Sequence, residues 1–341
     1  MLKKSLSIFR DILIILITVL LIIELICFVF FKFYTLNDKL TLLQTPIRTF
    51  YKSRDRDIVQ FQPDCAIYDK QLTYRLKAGS CSIKYRENKN PTKYNINKFG
   101  LRDDNNSLEK PEIIILGDSH AMGWANDESD IFSTLIEKNS KMKVLNAAIS
   151  SYGTARELLM LKQLDQSNLK YLVIQYCFND GLENKKFVQG NYQLPISSEK
   201  VYQDVVDDHV NRLKYKPFDL SRMTIKHISR IFRGKYRGTP TEEDQENLLK
   251  IVKKISTEVG PDVKIILFEI NGNNRNGPRT INILSELIKK EGLAKLEDQL
   301  TLFNSSKVLD DEDYFILDDH MNKSGHQKIA DKIMKIISSP N

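Results

Sequence analysis

From Ile12 to Phe31 the chain reads ILIILITVLLIIELICFVFF, interrupted only by Thr18 and Glu24. A run of about 20 apolar residues is what a helix needs to cross the hydrocarbon of a bilayer. Whatever follows must therefore fold as a body tethered to that helix. A secretory leader would carry a shorter apolar core and then small residues at a cleavage point. Here the run ends in the bulky stretch Phe28 to Tyr34, so residues 1–34 are expected to be an uncleaved transmembrane anchor. A cleaved leader and a buried soluble helix are the alternatives. Lys3, Lys4 and Arg10 precede the run and Lys32, Lys39 and Arg48 follow it, so flanking charge barely orients the helix. A short N-tail ahead of a long C-terminal body is the arrangement of a signal anchor. The localisation expected is single-pass membrane, with the body outside the cytoplasm. Glu24 is costly in lipid. It reads either as a contact with a partner helix or as a protonated or interface-near carboxyl without a role.

The remainder has an ordinary globular texture: of 341 residues, 41% are hydrophobic and 28% charged, which excludes a disordered or collagen-like chain. The net charge of +7 is concentrated, since Lys32 to Lys110 holds 16 basic and 9 acidic residues. No nucleic-acid signature accompanies the excess, so residues 35–110 read as a charged stalk or linker whose irregular strands dock on the main domain. Cys65 and Cys81 lie in this stretch. Outside the cytoplasm they can pair; otherwise they are two free thiols. No cysteine or histidine cluster has zinc spacing, so no structural metal is expected.

After Pro111 short apolar runs alternate with amphipathic segments. Strands are expected at Glu112–Leu116, Lys143–Ala147, Tyr171–Tyr176 and Val263–Ile270. Helices are expected at Ile131–Lys138, Thr154–Leu164, Glu242–Val259, Thr280–Lys290 and Asn322–Ile337. The alternation implies an α/β domain over residues 111–341, with a parallel sheet covered on both faces. Ligands of such sheets bind beyond the carboxyl ends of the strands. Residues 182–239 break the alternation and read as an insertion. Between His209 and Gly238 it holds nine Lys/Arg and one Asp. Leu220, Met223, His227, Ile231 and Phe232 fall on one helical stripe, which suits a membrane surface, an acidic polymer, or packing on the domain itself. His209 and His227 carry no motif and read as structural.

Four blocks sit at strand ends or before the closing helix. They are Gly117-Asp118-Ser119-His120, Asn146 to Thr154, Asn179-Asp180, and Asp318-Asp319-His320-Met321-Asn322-Lys323-Ser324-Gly325-His326. A serine at a strand-to-helix turn presents its hydroxyl at the sheet edge, with a helix N-terminus to help hold an anion. In order and spacing the blocks resemble the SGNH/GDSL hydrolases, from about Asn97 to Ile337. The lead-in Asn97-Lys98-Phe99-Gly100-Leu101-Arg102 also resembles the segment that often precedes the first block. The resemblance implies a flavodoxin-like three-layer α/β/α sandwich and ester chemistry without a cofactor.

Carried over residue by residue, the resemblance makes Ser119 the nucleophile and His320 its base. The oxyanion donors become the Ser119 N–H, Asn179 and, in place of the usual glycine, Ser151. The last block departs from the usual Asp-x-x-His, because position 317 is Leu. The orienting acid is then Asp318 or Asp319. Side chains at i and i+2 of an extended loop share a face, which favours Asp318 and sends Asp319 toward solvent or the closing helix. Asn179 has the alternative of capping a turn. His120, Asp118 and His326 read as structural, and Cys177 as a small core residue. The function expected is a membrane-anchored serine esterase or O-acyltransferase on acyl, including acetyl, esters of envelope glycans. The alternatives are a lipase or general carboxylesterase at the membrane surface, and a catalytically weak glycan-binding or assembly protein. An acyl ester and the membrane are the partners expected; nucleic acid is not.

Overall fold

The computed structural model describes residues 2–33, 47–214, 216–223, 225, 241–271 and 280–339. They fall into two units. One comprises the described residues of Met1–Arg56, His209–Gly238 and Ile316–Asp318, and the other those of Asp57–Asp208, Thr239–Phe315 and Asp319–Asn341.

The first unit is built on α1 (Leu2–Phe33). Within it Leu6–Val29 is long and apolar enough to cross a membrane. At 1.5 Å per residue that stretch is about 36 Å long, slightly more than a hydrocarbon core. Its apolar side chains are exposed all round, and Glu24 is its one buried residue. A core helix of a soluble domain would bury a stripe instead. A π-helical turn at Tyr51–Asp55 follows. Arg54 there pairs with Asp219 at 3.0 Å and donates to the Arg212 carbonyl at 3.1 Å. Arg48 donates to the carbonyl of Ile316.

The second unit opens with two antiparallel hairpins, β1 (Ala66–Asp69) with β2 (Thr73–Leu76), and β3 (Gly79–Ile83) with β4 (Thr92–Ile96). Residues 57–110, read from sequence as part of a stalk, thus carry regular pairing. A disulfide joins Cys65, just ahead of β1, to Cys81 in β3. The sheet proper comprises β5 (Ile113–Leu116), β6 (Val144–Asn146), β7 (Tyr171–Tyr176), β8 (Lys264–Glu269) and β9 (Leu300–Asn304). Its order is β6-β5-β7-β8-β9, and every pairing is parallel. Ile113–Leu116 and Leu172–Ile174 are fully buried, as strands covered on both faces must be.

Helices lie in the crossovers that join the parallel strands. Phe132–Ser140 packs with Lys323–Ser338, while Thr154–Leu161, Gly181–Gln189, Glu242–Val259 and Thr280–Lys290 pack among themselves. The result is the three-layer sandwich with a flavodoxin-type strand order. Two expectations need correction. The 182–239 insertion starts too early, because Gly181–Gln189 packs on Glu242–Val259 as part of the sandwich. A second helix, Glu199–Arg212, follows it. A fifth strand, β9, was not foreseen: it is an edge strand with an exposed Thr301 and lacks an unbroken apolar run. Of the proposed stripe, Leu220 is buried, whereas His227, Ile231 and Phe232 lie outside the described residues.

The disulfide closes a loop with a sequence separation of 16. A loop of that size stabilises by about 3 kcal/mol, chiefly by restricting the unfolded chain. The Cys65→Ser/Cys81→Ser double variant should lose about that much in urea unfolding, with activity retained when folded.

Candidate active site

The strand order reverses beside β5, since the chain goes from β5 out to β6 and returns to β7 on the other side. At such a reversal the two crossovers leave on opposite faces and open a crevice at the carboxyl edge. Ser119 follows β5 and Asn179 follows β7, so two of the four blocks flank that crevice.

The Ser119 turn is built to close tolerances. Gly117 has φ of +155°, and a Cβ there would lie 2.6 Å from the Ala121 Cβ and 2.8 Å from Gln175 Oε1. The Gln175 oxygen accepts from the N–H groups of Asp118 (3.1 Å) and Ala121 (3.2 Å), so a strand side chain holds both ends of the turn. Asp118 caps it, accepting from the His120 N–H at 2.9 Å. The helix that follows is the single turn Ser119–Met122, ended by Gly123 in the left-handed region. It is too short for a sizeable dipole, which corrects the expectation of a helix N-terminus as an anion aid. What remains available there is the local backbone N–H.

Arg102, from the lead-in segment, closes the turn from behind. It is fully buried, lies over the Tyr94 ring at 3.8 Å, and donates to the carbonyls of Met122 (3.1 Å), Gly123 (2.6 Å) and Asn126 (2.6 Å). Asn126 donates in turn to Met321 O at 2.9 Å, which ties the turn to the last block. Sequence reading noticed the lead-in segment but not this clamp, which exists only once three carbonyls converge.

His320 closes a loop in which the Phe315 N–H donates to its carbonyl at 3.0 Å. Its Nε2 lies 2.6 Å from Ser119 Oγ. With the Ser119 hydroxyl donating, Nε2 is the lone-pair nitrogen and Nδ1 carries the ring proton. Trp124 stacks at 4.7 Å and His120 at 4.8 Å from the His320 ring, so the imidazole is packed in place. Ser119 is half-buried and His320 nearly buried, leaving the hydroxyl within reach of a substrate.

The other predicted residues are found as follows. Asp318 is fully buried and its Oδ2 pairs with Arg56 Nη1 at 3.3 Å. Asp319 is half-buried, and its charge adds to the raising of the Asp118 carboxyl by burial. The closed loop is turned here, not extended. Ser151 has φ of +61°, a conformation glycine adopts freely, whereas Gly153 has an ordinary φ of −96°. Ser151 Oγ accepts from Gln60 Nε2 at 2.8 Å. Asn179 is exposed in the short turn Phe178–Asp180, and its side chain makes no hydrogen bond among the described residues. Asp180 accepts from Thr154 Oγ1 at 3.0 Å, tying the second block to the third.

Burial pushes the Cys177 thiol well up, which removes it as a nucleophile. His326 is buried, accepts from the Phe132 N–H at 3.2 Å, and is lowered to about 3 by burial, so it serves packing. Among the described residues the one close group of metal-ligating side chains is the consecutive Asp318, Asp319 and His320, and Nε2 of that histidine is engaged by Ser119. A cleft of about 1010 Å³ lined by Asn88, Asn126, Phe315 and Lys323 holds neither Ser119 nor His320, so volume alone does not point to the site.

Burial raises the Asp118 carboxyl to about 6, against the lowering effect of the His120 N–H. A carboxyl raised in the folded state favours folding below its ordinary value of 3.8 and loses that contribution as pH rises through about 6. Asp118→Asn keeps an acceptor for His120 and removes the charge. Relative to the unmodified protein, it should gain about 1–3 kcal/mol between pH 4 and pH 8, read by urea unfolding at both.

No protein-family model matches the chain, and no curated protein sequence matches it. Solved structures do. A lipolytic protein of the G-D-S-L family from Veillonella parvula is 11% identical, covering 67% of this chain and 98% of its own, with a TM-score of 0.39. TesA is 16% identical, covering 66% and 97%, with a TM-score of 0.38. A carbohydrate esterase whose active site shows divergent catalytic and non-catalytic binding functions is 14% identical, covering 68% and 66%, with a TM-score of 0.40. At such identities and scores, mechanism and substrate have to be argued from this chain's own atoms. The solved proteins similar to this chain are thus G-D-S-L lipolytic proteins and esterases.

Proposed function

We propose that the chain is a serine hydrolase of the SGNH/GDSL type, anchored to a membrane by α1, that cleaves or transfers acyl esters. The observation that carries this reading is the 2.6 Å contact between His320 Nε2 and Ser119 Oγ at the crevice edge of the sheet. A serine hydroxyl is unreactive near neutral pH unless a base takes its proton. As Ser119 Oγ attacks the ester carbonyl, its proton passes to Nε2 and the carbonyl oxygen becomes an oxyanion. The Ser119 and Ser151 N–H groups and the Asn179 amide are the donors this reading assigns to it. Collapse breaks the ester C–O bond, and Nε2 returns the proton to the leaving alkoxide. Water or an acceptor hydroxyl then attacks the acyl-serine, and the same imidazole relays its proton.

Asp318 is the acid this reading assigns to Nδ1. A fully buried carboxylate needs a charge partner, and Arg56 supplies one, which supports keeping Asp318 ionised two residues before His320. The left-handed φ of Ser151 supports placing it, rather than Gly153, where the family has glycine.

The buried Glu24 supports a retained anchor over a cleaved leader, because removal of α1 would strip the hydrogen bonds that Leu220 and Ser221 make to it. The Cys65–Cys81 disulfide supports an extracytoplasmic body. A body held there has envelope glycans within reach, and their acyl esters, acetyl included, are the substrate class proposed. Exposed Phe218 and Ile225 favour a second reading, a carboxylesterase working on lipid.

Full-length protein in detergent, assayed with nitrophenyl esters of graded chain length and with an acetylated glycan, tests the reading. Ser119→Ala should lose all measurable turnover while remaining folded. Asp318→Asn should fall at least about a hundredfold and Asp319→Asn less than about tenfold, by analogy with the loss of imidazole orientation in serine proteases. Reversed losses would transfer the role to Asp319. Preference for long chains over the acetylated glycan would select the lipid reading.

A further inference from the structure

Glu24 is the one buried residue of the apolar stretch, and its carboxylate is fully engaged. Oε1 accepts from the Leu220 N–H at 3.3 Å. Oε2 accepts from the Ser221 N–H at 2.9 Å and from Ser221 Oγ at 2.6 Å. The donors belong to the basic insertion, almost two hundred positions later. They stand at the start of a helical turn, where N–H groups suit a side-chain acceptor.

The depth of this contact follows from the helix. Glu24 precedes Val29, the end of the apolar stretch, by five residues, or about 7.5 Å of helix rise. Groups within hydrogen-bonding distance of it share that depth. Leu220 and Ser221 are thus below the level at which α1 leaves the hydrocarbon. Their neighbours Phe218 and Ile225 are 41% and 61% exposed. At that depth an exposed apolar side chain meets acyl chains, where it costs nothing. Lys214, Lys216 and Arg222 flank them with long side chains that can reach back to a headgroup. Arg54 fixes the other side of the turn through Asp219 and through the Met223 sulfur at 3.2 Å.

We propose that residues 217–223 and 225 belong to a foot of the insertion embedded in the bilayer, pinned at depth by Glu24, with Phe218 and Ile225 among the acyl chains. The partner is the lipid itself, with anionic headgroups favoured by Lys214, Lys216 and Arg222. Glu24 then has a definite role: unpaired it would be costly in hydrocarbon, and paired it determines which part of the insertion enters. The inference rests on α1 being an anchor but not on the ester chemistry.

The chain has a single tryptophan, Trp124, which makes fluorescence tractable. In a Trp124→Phe background, Phe218→Trp and, separately, Ile225→Trp are made in the full chain. Each is reconstituted into phosphatidylcholine vesicles with and without bromine on the acyl chains. The introduced indole should lose emission to the brominated lipid and be shielded from aqueous acrylamide. Adding Glu24→Leu should abolish that quenching while the chain still resists alkaline extraction. Acrylamide quenching without bromine quenching, in a chain that resists extraction, would overturn the foot alone. Shielding from both quenchers would also overturn it, placing a protein surface over these residues. Release of the chain by alkaline extraction would overturn the anchor and the foot with it.

Discussion

The reversal of strand order beside β5 is the constraint from which the site follows. Parallel strands deliver all their carboxyl ends to one edge, and the reversal opens a crevice there. Ser119 can occupy that edge because Gly117 lets the chain turn against Ala121 and Gln175, a space no side chain would share. Gln175, from the neighbouring strand β7, then holds both ends of the turn. Ser119 is therefore positioned by the sheet itself, and the loop bearing His320 is brought to it through Asn126 and packed by Trp124 and His120.

Much of this was legible in the sequence for identifiable reasons. Ile113–Leu116 and Leu172–Ile174 are buried on both faces, so their apolar runs announced the strands. The pairing of Ser119 with His320 was legible because each sits in a short block beside a strand or helix boundary. β9 was not, because an edge strand mixes Thr301 and Asn304 with its apolar residues. The Arg102 clamp and the Gln175 bridge depend on carbonyls and N–H groups that only the fold brings together. A residue's φ is equally invisible beforehand, and Ser151 declares its glycine-like setting only through the backbone.

Glu24 shows the limit most plainly. In a hydropathy profile it is a blemish in an anchor, and either of its sequence readings looked outward or nowhere. Its partners proved to be Leu220 and Ser221 of the same chain. The first unit is thus held by polar contacts of α1 and the Arg54 turn, while the sandwich relies on apolar burial around its sheet.

The central claim is that His320 makes Ser119 a nucleophile. Its most direct measurement is covalent capture: full-length protein treated with a fluorophosphonate, digested, and its adduct located by mass spectrometry. The account predicts an adduct on Ser119 in the unmodified protein, and none in a folded His320→Ala variant. An adduct on another residue, or undiminished labelling of Ser119 without His320, would contradict it.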